Sequence, residues 1–87
     1  MGFMGREYKT ITALRRGEVV DVGGISLKMA EGEIQVGDLY VAERNTGPKI
    51  LTAREVIREE NPCGGTVFPT TSDYCFDFWE CVKVQEA

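Results

Sequence analysis

The feature that most constrains this chain is a pair of adjacent glycines set between two alternating apolar runs. Val19, Val20 and Val22 lead into Gly23-Gly24, and Ile25, Leu27 and Met29 leave it at period two. Period-two alternation puts one set of side chains on one face of a strand. A two-residue turn joining such strands needs positive φ at both positions, where a Cβ clashes, so glycine is wanted twice. The segment predicts a tight β-hairpin over 19–29. Similar punctuation recurs at Glu31-Gly32, Gly37-Asp38, Asn45-Thr46-Gly47-Pro48 and Gly64-Gly65. Short segments separated by glycine-rich turns at intervals of about 8–12 residues argue for a strongly curved antiparallel sheet or small barrel.

The expected fold is therefore mainly β, a small antiparallel sheet or barrel of about six to seven short strands. Residues 7–14, Glu-Tyr-Lys-Thr-Ile-Thr-Ala-Leu, are rich in β-branched and aromatic types and predict a half-buried first strand, ended by Arg15-Arg16-Gly17. Leu39–Arg44 alternates, with Leu39 and Val41 on one face and Tyr40, Ala42 and Arg44 on the other. A four-residue turn, Asn45–Pro48, then returns the chain antiparallel through Lys49–Thr52. Two readings stand over 53–60. Thr52-Ala53-Arg54-Glu55 has capping-box spacing and Ile50, Ala53 and Ile57 share a helical face, which gives one short helix. Leu51, Ala53, Glu55 and Ile57 also alternate, and the hairpin that feeds them favours a strand. Asn61-Pro62 ends either element. Thr66–Phe68 reads as a short strand, Pro69–Asp73 as a loop and Phe78–Val84 as the last strand.

Eighty-seven residues suffice for one hydrophobic core, so the chain reads as a single domain with 1–6 as an N-terminal tail. At this size about 60–65% of the unfolded surface is buried on folding, and the thin margin of stability makes a homo-oligomer the expectation. Ten Lys and Arg stand against fourteen Asp and Glu, net −4, with no basic run longer than Arg15-Arg16. Phosphate-backbone binding works through clustered cations, so direct nucleic-acid reading is disfavoured. The chain has no histidine. That removes the commonest general base, the usual metal ligand and every Ser-His or Cys-His nucleophile pair, and the expectation is a non-enzymatic protein without cofactor or metal. No apolar run approaches bilayer length, and Met1–Arg6 lacks the apolar core of a signal peptide, so neither membrane insertion nor export is expected and the chain reads as cytoplasmic. Cys63, Cys75 and Cys81 are odd in number, without CxxC spacing, and read as free thiols, Cys63 in its turn being the most exposed.

The chemically densest stretch is Asp73-Tyr74-Cys75-Phe76-Asp77-Phe78-Trp79-Glu80, four aromatics with three carboxylates. The plainest reading makes Phe76, Phe78 and Trp79 core anchors. Rigid aromatics also make interface hot spots, here Tyr74, Phe76 and Trp79 with Asp73 and Asp77 at the rim. Ring faces beside carboxylates attract organic cations, which gives a receptor with Tyr74 and Trp79 as walls and Asp77 or Glu80 as counter-charge. The turn at 45–48 with Lys49 presents N–H groups and a cation to an anion, or is simply a hairpin turn. Glu55, Glu59 and Glu60 read as a solvated face.

Gly-Asp-Leu-Tyr-Val-Ala-Glu-Arg-Asn-Thr-Gly-Pro-Lys at 37–49 and Phe-Trp-Glu-Cys-Val-Lys-Val at 78–84 resemble short open reading frames of mobile DNA, prophage and integron-cassette proteins. The resemblance implies a small, single-domain, often oligomeric protein, and it transfers no functional residue. The leading expectation is an interaction module that self-associates and engages a protein partner, with Trp79→Ala weakening assembly. The alternatives are a receptor for a small cationic or aromatic ligand at 73–80, and an acidic decoy of a nucleic-acid-binding protein.

Overall fold

The computed structural model describes residues 8–59 and 64–87. Asn61-Pro62, Cys63, Glu60 and the 1–6 tail lie outside the described residues. The described elements are α1 (Lys9–Arg15), β1 (Val20–Val22), β2 (Ile25–Met29), β3 (Leu39–Arg44), β4 (Gly47–Arg58), β5 (Gly65–Pro69), β6 (Phe76–Asp77), a 3-10 turn (Phe78–Glu80) and β7 (Cys81–Glu86). The seven strands form one antiparallel sheet in the order β1-β2-β7-β3-β4-β5-β6, so the last strand lies between β2 and β3. The sheet curls until β1 approaches β4, which makes a half-barrel. The mainly β, seven-strand expectation holds.

The first hairpin forms as its glycines predict. Gly23 and Gly24 take φ of +60° and +88°, and Asp21 Oδ1 accepts the Gly24 N–H at 2.9 Å. The β3–β4 turn is tighter than expected. Only Asn45 and Thr46 lie outside the strands; Gly47 pairs with Arg44, and Pro48 with Glu43. Gly47, at φ +95°, takes the left-handed position that follows such a turn and lets the strand resume two residues early.

The 53–60 question resolves as strand, because β4 runs unbroken to Arg58. It carries a bulge, since Ala53 faces Pro69 and Glu55 faces Phe68, which leaves Arg54 as the extra residue. The helix sits instead at the start, where 7–14 had read as a strand. Ile11 and Leu14 are buried, and Tyr8 packs on the same side, an i, i+3, i+6 set that fits a helix lying on a sheet. The β-preference of Thr10-Ile11-Thr12 yields to that burial. The last strand is also shorter than expected: Phe78–Glu80 makes a 3-10 turn, and pairing begins at Cys81.

Two apolar clusters use opposite faces of the sheet. Ile11 and Leu14 meet Val22, Leu27, Val41, Val82 and Val84 on one side. Tyr40, Ala42 and Cys81 meet Ile34, Ala53, Val67 and Phe76 on the other. β3 is therefore buried on both faces at Tyr40–Glu43, and its exposed end, Arg44, emerges beside the second cluster.

Candidate functional site

Arg44 ends the central strand, and the 75–80 segment is folded around its guanidinium. Nε donates to Glu80 Oε2 at 3.0 Å and Nη2 to Glu80 Oε1 at 2.9 Å. Nη2 also donates to the Cys75 carbonyl at 2.8 Å, and the group lies 4.6 Å from the centre of the Phe76 ring. Glu80 is 5% exposed, and its Oε1 takes the Asp77 N–H at 3.0 Å as well. A buried carboxylate with a two-point guanidinium partner and a backbone donor is fixed in position.

This clamp forms one wall of a cleft of about 700 Å³ between the β3–β4 turn and the 69–76 segment. Ala42, Leu51, Pro69 and Phe76 supply its apolar lining. Asn45, Thr46 and Lys49 border it on the turn side, and Thr71, Ser72 and Tyr74 on the other. Tyr74 is 76% exposed. The Lys49 side chain makes no ion pair or hydrogen bond among the described residues.

Of the residues singled out in the sequence, Tyr74, Phe76 and Glu80 line this cleft together. Trp79 lines a second cleft of about 650 Å³ against α1, with Arg15 and Arg16. Tyr8 borders both clefts, and its ring meets Trp79 edge-on at 5.2 Å between centroids. Tyr74 and Trp79 thus line different clefts, and Glu80, one of the proposed counter-charges, is already engaged by Arg44. Asp73 is fully exposed and 3.6 Å from Arg54, while Asp77 is half-buried at the start of the 3-10 turn. As the plainest reading has it, Phe76 is a core residue, and Phe78 packs against the same cluster; Trp79 is 45% exposed.

Sequence reasoning missed Arg44 and Tyr8. The Arg44–Glu80 pair spans 36 residues, and nothing local marks it. Lys49 was legible as a cation beside a turn. Cys75 is half-buried and Cys81 buried, both free. Burial first, then the Glu80 carboxylate, pushes the Cys81 thiol up to about 12, so it is a poor nucleophile. No cluster suited to a metal occurs among the described residues, and no helix there is long and apolar enough to cross a membrane. Comparison with protein-family models, with curated proteins and with solved structures found no match.

Proposed function

We propose that the protein is a non-catalytic recognition module that engages a protein partner through the cleft between the β3–β4 turn and the 69–76 segment. One observation carries this reading: an open, apolar-lined cleft of about 700 Å³ whose rim bears an aromatic residue 76% exposed. Rigid, solvent-facing aromatics beside an apolar depression are what interface hot spots are made of, and the volume lies in the range of about 300–1,000 Å³ typical of ligand sites. The clamp beneath keeps the wall rigid, which lowers the ordering cost of binding. The absence of histidine and the engagement of Glu80 by Arg44 both favour recognition over catalysis.

The test is chemical-shift mapping. Amides of 44–49 and 69–76 should move together when capped peptides bearing an aromatic side chain are titrated in. Tyr74→Ala should weaken that binding about tenfold, a typical hot-spot loss, with an unchanged melting temperature. Shifts confined to other surfaces, or full affinity in Tyr74→Ala, would place the docking site elsewhere. Self-association is a second part of the proposal, supported by the small size of the domain and by the exposed Trp79 face.

A further inference from the structure

We infer that the cleft is built to take a carboxylate, so that the segment it receives is an acidic stretch of a partner protein with an apolar or aromatic residue beside the acid. This rests on the recognition reading above and specifies its partner. Three observations converge. The Arg44 guanidinium is held on one edge by Glu80, at one end by the Cys75 carbonyl and across its face by Phe76, yet its Nη1 has no hydrogen-bond partner among the described residues. A guanidinium already fixed in place loses little entropy when its remaining N–H groups meet an oxygen.

The Lys49 ammonium, also without a partner among the described residues, adds a cation to the same cleft. Among the described residues that line the cleft, the only carboxylate is Glu80, which is 5% exposed and faces Arg44. The described lining thus sets two cations, Arg44 and Lys49, against one carboxylate already paired with Arg44, although the whole chain carries −4 and Asp77 also acts on Arg44. At physiological salt the screening length is about 8 Å, so the local cations, rather than the net charge, set the potential that a docked group meets. The apolar lining at Leu51, Pro69 and Phe76 then accommodates the neighbouring side chain. An acidic segment meets two cations here on a chain that is net negative, which favours this place for docking.

The experiment uses three capped, fluorescein-labelled hexapeptides with phenylalanine flanked by two glutamates, two glutamines or two lysines. Anisotropy should show the glutamate peptide binding about tenfold tighter than the glutamine one at low salt, with the difference shrinking in 0.5 M salt as screening demands. Lys49→Glu, at an exposed position away from both cores, should reverse the order of the glutamate and lysine peptides. Arg44→Lys is the weaker test, because it also disturbs a buried carboxylate. Equal affinity for the glutamate and glutamine peptides, with shifts still at 44–49 and 69–76, overturns the acidic specificity and leaves the recognition reading standing. No shift at those residues with any of the three overturns both.

Discussion

Cys81 is the residue whose environment departs furthest from water in a way that solution chemistry can read. It is 5% exposed within the second cluster, and burial, followed by the Glu80 charge, pushes its thiol up to about 12. Arg15 and Arg44 pull the other way and lose. An unfolded cysteine ionises near 8.5, so between about pH 8.5 and 12 the folded state keeps a proton that the unfolded state has released. The associated stability is complete below about 8.5 and falls as pH rises, by about 1.4 kcal/mol per pH unit. Tyr40 is shifted in the same direction, by burial and then by Cys81, and adds its own loss above about pH 10. Urea unfolding at pH 7, 8, 9 and 10 should show this alkaline decline, and Cys81→Ala should be less stable at pH 7 yet flatter between 8.5 and 10. A variant that declines as steeply as the wild type would assign the slope to another group. At this scale the sequence was legible in type but not in pairing. Free thiols at Cys75 and Cys81 match the expectation, and Cys81 is buried, whereas the contacts that set its chemistry come from Glu80, Arg15 and Arg44, and no local pattern announces those.

The element that sequence patterning misread, α1, explains its own illegibility. Seven residues are too few to make a stable helix in isolation, and Thr10-Ile11-Thr12 prefers extended backbone. The helix is completed from 33 residues away: Glu43 Oε1 accepts the N–H groups of Thr10 at 3.0 Å and Ile11 at 3.1 Å. Glu43 is 6% exposed at the end of the buried run Tyr40–Glu43, and these bonds satisfy its carboxylate. Glu43→Ala strands two helix N–H groups and should cost about 1–3 kcal/mol in urea unfolding, with a loss of helical ellipticity. Glu43→Gln keeps an acceptor and should fall between. A Glu43→Ala protein as stable as wild type would show that Ile11 and Leu14 alone hold the helix. The bulge in β4 teaches the converse lesson. One extra residue at Arg54 changes the phase of alternation, so Leu51, Ala53 and Val56 all reach the second cluster. The helical face suggested by Ile50, Ala53 and Ile57 does not form: Ile50 packs against the first cluster, Ala53 sits in the second and Ile57 is exposed. The turns were legible because glycine at positive φ is a local requirement.

At the scale of the molecule, the question is how so small a sheet manages its open edges. The edge strands are β1, with three residues, and β6, with two, so those two edges give another sheet little backbone to pair with. Both faces near the centre are already covered by the two clusters. Association of two copies is expected to proceed through side chains, and Trp79, 45% exposed with its ring against Tyr8, is the largest exposed apolar side chain among the described residues outside the 44–49 and 69–76 cleft. Sedimentation across micromolar concentrations should show a dimer that Trp79→Ala weakens by about tenfold or more, the loss usual for a buried tryptophan anchor. Tyr74→Ala should leave the dimer intact, because Tyr74 lines the other cleft. If Tyr74→Ala dissociates the dimer instead, the cleft proposed for partner binding and the self-association surface are one surface, and a second copy would compete there with the proposed acidic segment. A monomer at every concentration would remove self-association and leave the stability of the domain to its two cores alone.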